Sequence, residues 1–155
     1  MNTSDANLSF PVLGLSPDND VWGFPDLRSL TTCGPRTLSN KMQDRLELVD
    51  ADGRRWRVIS VRSTGRAGPV MTRWITALLT GAPQFRVEHE LEALQPLSLQ
   101  QVQARVCEAI EAHPDFWCED DERSTVLPER LAEVRGTSAI GDIQEVLGLD
   151  TFESY

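Results

Sequence analysis

The stretch RLELVDADGRRWRVISVRSTG, residues 45–65, carries the strongest indication of the fold. Two runs rich in β-forming residues flank the turn DADG, residues 50–53. In this turn Gly53 can adopt a positive φ, and Asp50 can accept hydrogen bonds from turn N–H groups. The pattern predicts a β-hairpin whose arms are residues 46–49 and 56–61.

The second arm of this hairpin also indicates which side of the strand is buried. Arg55 and Arg57 flank Trp56, so the two arginines share one face and the indole lies on the other. Farther along, the apolar residues Ile59 and Val61 fall on the parity of the arginines. We therefore expect a β-bulge at this point, or a strand end that is covered on both faces.

Residues 85–94, FRVEHELEAL, form a further predicted strand. Apolar and polar side chains alternate here with the period of two that is typical of a half-buried strand. His89 falls on the apolar face, whereas Glu88, Glu90 and Glu92 share the polar face with Arg86.

The first part of the chain predicts a second, looser hairpin. Residues 10–15, FPVLGL, are apolar but interrupted by Pro11 and Gly14, which is typical of an irregular edge strand. Residues 16–20, SPDND, have turn composition, and residues 21–24, VWGF, are expected to form the returning strand. Residues 1–9 are polar, and we expect them to be a loose N-terminal segment.

Helices are predicted mainly after these strands. Ser98 and Gln101 have the spacing of a capping box before an apolar stripe, which predicts a helix that ends near His113 and is stopped by Pro114. Further helices are predicted over residues 69–79, 127–135 and 138–147. The elements together predict an α+β fold, in which an N-terminal antiparallel β-sheet with a hairpin packs against C-terminal helices. The length of 155 residues fits one domain, over residues 10–155.

Charge is distributed unevenly along the chain. Sixteen of the 24 carboxylates, but only five of the 15 basic residues, lie at or after Phe85, which gives that part a net charge of −11. The part before Phe85 has a net charge of +2. An acidic surface of this kind lacks the lysines and arginines that contact phosphates, so we expect no binding to nucleic acid or to anionic membranes. A basic protein is the expected partner.

The cysteines and the N-terminus indicate the compartment. Cys33, Cys107 and Cys118 are odd in number and irregularly spaced, which is not the pattern of a disulfide-stapled secreted domain. The start MNTSDANLSF has neither a basic nor an apolar leader region, and no stretch approaches the ~18 apolar residues of a membrane span. The prediction is a cytoplasmic protein with reduced thiols.

Cys33, in the turn-like segment TTCGP, is the one candidate nucleophile. A catalytic thiol needs a base within hydrogen-bonding distance and a surrounding that favours the thiolate. Of the two histidines, His89 is expected to be a satisfied core residue and His113 to stabilise a helix C-terminus. The sequence therefore predicts no catalytic residues, and a small hydrolase that uses Cys33 is kept as a less favoured alternative.

No metal or cofactor site is predicted. The zinc-ligand spacings C-x2–4-C and H-x3–5-H are absent, as are the two glycine-rich nucleotide motifs GxxxxGK[ST] and GxGxxG. The turn DADG is similar to the start of a calcium loop, but it has no glutamate at the twelfth position and a hydrophobic strand follows it.

Glu88, Glu90 and Glu92 form a ladder of like charges on one strand face. The ladder is either a solvated face, or a set of glutamates that pair with Arg55 and Arg57 across strands, or an acidic docking surface. We assign the three glutamates to the candidate partner-binding surface.

Residues 115–122, DFWCEDDE, are the most distinctive segment of the chain. Two aromatic residues, Phe116 and Trp117, precede four consecutive carboxylates. The segment is either a solvated loop anchored by its aromatic residues or a surface that captures a basic partner, steered by charge and held by an apolar contact. The second interpretation assigns partner binding to Trp117, Glu119, Asp120, Asp121 and Glu122.

Three segments resemble those of small, acidic, uncharacterised proteobacterial proteins: VWGFPDLRSLTTCGP, LVDADGRRWRV and SAIGDIQEVLGLD. In size and acidity the chain is also similar to the immunity proteins of bacterial toxin systems. This resemblance implies a toxin-neutralising role, and it assigns no functional residue because none of the three segments has a known chemistry.

The sequence thus favours a non-enzymatic, acidic protein-binding domain, of the immunity or antitoxin kind, that inhibits a basic partner such as a toxin. The alternative is an accessory or regulatory interaction module with another partner.

Overall fold

A computed structural model describes residues 1–67, 83–120 and 122–149 of the chain. The described residues form an α+β fold with a curled, six-stranded antiparallel sheet, mostly N-terminal, and helices that are mainly C-terminal. The predicted fold class is therefore confirmed. The predicted helix over residues 69–79 and the predicted partner-binding residue Asp121 lie outside the described residues.

The strands follow the order β2-β1-β4-β5-β6-β3 across the sheet, so β2 and β3 are its two edges. Their bounds are β1 Val12–Leu15, β2 Val21–Phe24, β3 Thr32–Cys33, β4 Glu47–Val49, β5 Arg55–Arg66 and β6 Phe85–Leu94.

The predicted hairpin is formed by β4 and β5. Leu48 pairs with Trp56 in an antiparallel register, and the N–H of Gly53 donates to the carbonyl of Asp50 within the turn. Trp56 is only 5% exposed, as its parity predicted.

The expected β-bulge is also present, between Val58 and Ser60. Ile59 is the extra residue and is 50% exposed. After the bulge Val61 returns to the inner side of the sheet, opposite His89 on β6. One inserted residue therefore explains why the apolar parity changes within β5.

The first hairpin pairs β1 with β2, but β1 is not the edge strand that its proline and glycine suggested. It lies between β2 and β4, and all four of its residues are buried. The prediction of an edge strand was wrong because Pro11 precedes the strand and costs it no ladder hydrogen bond. The strand packs on both faces, and a Cβ atom added to Gly14 would lie 2.8 Å from the Leu46 side chain. Such close packing is typical of an interior strand.

The polar N-terminal segment, expected to be loose, contacts β6 instead. Asn2 forms a β-bridge with Glu90, and the N–H of Leu91 donates to the carbonyl of Met1. Thr3 is buried and bonds to the backbone and side chain of His89. The segment is ordered because it supplies hydrogen bonds to the part of β6 that the short strand β3 leaves uncovered.

The described helices are α1 Leu27–Leu30, α2 Pro35–Ser39, α3 Leu99–Ala112, α4 Pro114–Trp117, α5 Arg123–Arg135 and α6 Ile140–Val146. The capping box of α3 forms as predicted, with the side chains of Ser98 and Gln101 bonded to each other's backbone N–H. Helix α5 begins four residues earlier than Leu127, the predicted start. Pro128 removes a single helical hydrogen bond, and the carbonyl of Glu122 already accepts bonds in the first turn.

The core has two parts, one on each side of the sheet. Alternate residues of β1 supply both of them, since Leu13 and Leu15 face the helices while Val12 faces the inside of the curl. The helix side is filled by α3, α5 and α6, and the inside of the curl by residues such as Leu48, Trp56 and Leu91. None of the helices in the described ranges is long and apolar enough to cross a membrane.

Candidate functional site

A cleft of about 640 Å³ lies between the two edges of the curled sheet. Strand β2 forms one wall with residues 21–24, and β3 with the start of α2 forms the opposite wall. The side chain of Gln43, which is 4% exposed, borders the cleft between them. The cleft exists because the sheet curls enough to bring its ends to one place without pairing them.

Aromatic side chains dominate the β2 side of the cleft. Trp22 and Phe24 stack with a centroid distance of 6.3 Å, and Phe116 and Trp117 of α4 make an edge-to-face pair at 5.1 Å. Leu149 lies across β2, where its carbonyl oxygen would be 2.4 Å from a Cβ atom added to Gly23. A larger residue at position 23 would displace this segment, so the glycine is required by close packing.

The two aromatic residues of α4 differ in exposure. Pro114 ends the α3 hydrogen-bond ladder and begins the single turn of α4, which directs Trp117 toward the helix-side core. Phe116, one residue earlier, is 75% exposed. The sequence assigned partner binding to Trp117, yet Phe116 offers the larger free apolar surface.

Carboxylates surround this aromatic pair. Glu119, Asp120 and Glu122 are exposed, as is Asp115 before Phe116. Arg123 is the basic residue of the cluster, and its Nη2 atom contacts both Asp115 and Asp120, the second at 2.9 Å. These exposed ion pairs contribute little to stability, but they leave Glu119 and Glu122 as carboxylates without an ion pair among the described residues.

The glutamate ladder lies elsewhere, on the polar face of β6. Each member has a neighbour: the Ser4 hydroxyl donates to Glu88, the Ser60 hydroxyl donates to Glu90, and Arg57 is 3.6 Å from Glu92. The expected cross-strand pairing thus occurs with Arg57. It does not occur with Arg55, which contacts Glu47 because the register places it opposite Leu94. The three glutamates do not line the cleft.

Cys33 lines the cleft from β3 but is 5% exposed. Burial raises the pKa of its thiol, which favours the neutral form. His113 also lines the cleft, and its Nε2–H donates to the carbonyl of Asp18 at 2.7 Å. Among the hydrogen bonds of the described residues, none joins Cys33 to a base. Burial of Cys33 therefore disfavours the thiolate that a nucleophilic cysteine needs.

His89 is the satisfied core histidine that the sequence predicted. It is 1% exposed, with Nδ1 3.1 Å from the Thr3 hydroxyl and Nε2 3.0 Å from Oε1 of Gln43. Burial lowers its pKa to about 4.

The side chains that could bind a metal do not form a metal site among the described residues. Within residues 1–67, 83–120 and 122–149, no group of three or more His, Cys, Asp and Glu side chains could hold a metal ion. In the turn DADG, the Asp50 carboxylate accepts hydrogen bonds from the backbone N–H groups of Ser9, Asp52 and Arg54. It also accepts a hydrogen bond from the Arg54 guanidinium, so both of its oxygens are already engaged in hydrogen bonds that stabilise the turn.

Sequence reasoning missed the cleft as a unit, because it depends on which strands become the two edges of the sheet. One local signal was present. Asp26 and Ser29 form a capping box that starts α1, the short connection from β2 to β3. That signal indicates a turn of helix between the two edge strands.

Comparisons of the chain with protein-family models, with curated proteins and with solved structures found no match.

Proposed function

We propose that this protein is a cytoplasmic, non-enzymatic binding domain that holds a basic partner protein. Its proposed role is that of an inhibitor of the immunity or antitoxin kind, with a toxin as the partner. The observation that carries the proposal is the exposed Phe116 beside Trp117, at the border of a cleft and within a cluster of carboxylates.

Exposed aromatic area and charge have complementary effects in such a surface. Removal of the apolar Phe116 side chain from water lowers the free energy of the complex, which slows dissociation. Carboxylates around it attract a basic partner before contact and so speed association. Asp120 and Asp115 share Arg123, so most of this attraction is expected from Glu119 and Glu122.

Two features support binding over catalysis. The buried Cys33 has a raised thiol pKa, and the histidines are bonded to other groups. A hydrolase that uses Cys33 would have to expose and deprotonate this thiol. The accessory-module alternative uses the same surface with a different partner.

The test begins with capture of partners from the native host on two baits, the parent protein and the variant Phe116→Ala. Because Phe116 is exposed, this variant is expected to fold like the parent. A protein that the parent retains and the variant loses is the specific partner. The inhibitor role then requires that the parent abolish the partner's toxicity or enzymatic activity in a stoichiometric complex.

Binding kinetics with the captured partner test the roles of charge and aromatic area separately. The variant Glu119→Gln/Glu122→Gln should associate more slowly at low salt, and the difference should fade as salt is raised. The matched control Glu129→Gln/Glu145→Gln removes the same charge from exposed positions within α5 and α6, away from Phe116 in sequence, and should change the rate less. Phe116→Ala should raise the dissociation rate, by about 30-fold if it is a hot spot worth about 2 kcal/mol. Equal effects of the two charge variants, or unchanged dissociation of Phe116→Ala, would contradict this site.

A further inference from the structure

Strand β2 is an edge strand, and some of its backbone N–H and C=O groups point away from β1, its neighbour in the sheet. In the turn between β1 and β2, the N–H of Ser16 donates to the carbonyl of Asp20, which makes these two residues a hydrogen-bonded pair. Hydrogen-bonded and non-hydrogen-bonded pairs alternate along an antiparallel ladder. Trp22 and Phe24 are therefore bonded to β1, while the N–H and C=O groups of Val21 and Gly23 point away from it. Among the described residues, no hydrogen bond engages these outward groups.

Strand β3 leaves a smaller edge on the opposite wall. The N–H of Val87 donates to the carbonyl of Thr31, so the groups of Thr32 point away from β6 by the same alternation. This strand has two residues, and Arg36 lies beside it in the cleft.

Strand β2 is only four residues long and is flanked by Asp20 and Pro25, but its own residues do not protect its edge against pairing. Edge strands are commonly protected by charges, by proline or by a covering segment, as residues 1–3 cover part of β6. The sequence of β2, VWGF, contains no charge and no proline. Leu149 covers the face of Gly23 but does not hydrogen-bond to its outward N–H or C=O.

We infer that an extended segment of a basic partner protein adds to β2 as a further strand of the sheet. Only an extended backbone offers donors and acceptors at the spacing of Val21 and Gly23. The charge of the added segment follows from the surroundings of β2: Asp20 precedes the strand and lines the cleft, as does Phe116, whose neighbours in sequence include Asp115, Glu119 and Asp120. Arg36 on the opposite wall makes β3 the less suitable edge for a basic chain. This inference rests on the proposed function and specifies how the partner binds.

Amide hydrogen exchange measured by NMR on the full chain tests the inference without any substitution. In the free protein, the amides of Trp22 and Phe24 should be protected and those of Val21 and Gly23 should exchange fast. The probe is a short capped peptide of alternating lysine and valine. At a peptide concentration ten times its Kd, exchange at Val21 and Gly23 should slow by about tenfold, because only the free fraction exchanges.

Two matched peptides make the result specific. A peptide of alternating glutamate and valine should give no protection, because its charge repels the acidic side of the cleft. Two further versions of the lysine peptide carry N-methyl groups either on all lysine amides or on all valine amides. Only one of these two sets of amides faces β2, so one version should lose the protection and the other should keep it.

Several outcomes would overturn the inference. Absence of binding by the lysine peptide, equal protection by the glutamate peptide, or equal effects of the two N-methylated peptides would each exclude strand addition of a basic segment. So would protection of Val21 and Gly23 in the free protein that disappears when the chain is ended after Leu149, because residues 150–155 would then occupy the edge. A captured partner that depends on Phe116 but leaves Val21 and Gly23 unprotected would sustain the proposed function and refute only this mode of binding.

Discussion

Acidification should destabilise this protein in part through one buried side chain, His89. The imidazole lies on the inner side of β6, between the Thr3 hydroxyl and the side-chain amide of Gln43. The hydrogen-bond network is satisfied by the neutral ring, in which Nε2–H donates to Gln43 and Nδ1 accepts from Thr3; this tautomer is assigned from the network. A second proton on the ring would leave the carbonyl of His89 as the remaining acceptor for the Thr3 hydroxyl, and it would place a charge in the core.

The sign and size of the effect follow from the two pKa values. Burial lowers the pKa of His89 to about 4 in the folded protein, against 6.5 for an ordinary histidine. Between these values the unfolded chain binds the proton and the folded protein does not, so stability falls as the pH falls from 6.5 toward 4. At about 1.4 kcal/mol for each pKa unit, the full loss is about 3 kcal/mol.

Urea unfolding at a series of pH values between 7 and 4 measures this loss. The matched control is His89→Gln, which keeps hydrogen-bonding groups at the position but does not titrate. The free energy of unfolding of the parent should decrease more steeply with acidification than that of the variant, and the difference should level off near pH 7. Carboxylates contribute equally to both proteins and cancel. If the parent and the variant have parallel pH profiles, His89 is not held neutral by burial and the reasoning fails.

Two further predictions concern the hairpin and the thiols. Trp56→Ala should lower the free energy of unfolding by ~3–5 kcal/mol, because a large buried aromatic is removed. Ile59→Ala, at the exposed bulge, should change the free energy of unfolding by no more than about 0.5 kcal/mol. Similar losses in both variants would refute the assignment of buried and exposed faces in β5. Cys33 should react with iodoacetamide much more slowly in the folded protein than in urea, because burial both shields the thiol and raises its pKa. Rapid labelling of Cys33 in the folded protein would instead support a reactive thiol.

Local patterns were sufficient to predict most strands and helices after residue 45. In the hairpin, the alternation around Trp56 fixed the buried face, and the break in that alternation located the bulge at Ile59. The capping box of α3 was equally local, since both partners lie within one turn. These features depend on residues that are close in sequence, which is why a single sequence reveals them.

Features that depend on distant partners were not predictable in the same way. The polarity of residues 1–9 indicated a loose segment, because nothing in the sequence shows that β3 covers only one end of β6. The position of β1 inside the sheet likewise depends on its pairing with β4, 32 or more residues away along the chain. The cleft combines both problems, since it requires the order of all six strands.

The cleft brings together the two features that sequence analysis treated as rivals, the thiol of Cys33 and the segment with Phe116 and Trp117. The two features differ in exposure, because Cys33 is buried and Phe116 is exposed. A nucleophile needs a stabilised anion, whereas burial raises the pKa of the Cys33 thiol and no hydrogen bond within the described ranges joins it to a base. A docking surface needs apolar area that water still covers, and Phe116 provides it next to carboxylates that act at a distance. Cys33 then serves as part of the apolar lining, and in the inferred binding mode the outward groups of Val21 and Gly23, which have no hydrogen bond among the described residues, would supply the directional hydrogen bonds that an aromatic surface alone lacks.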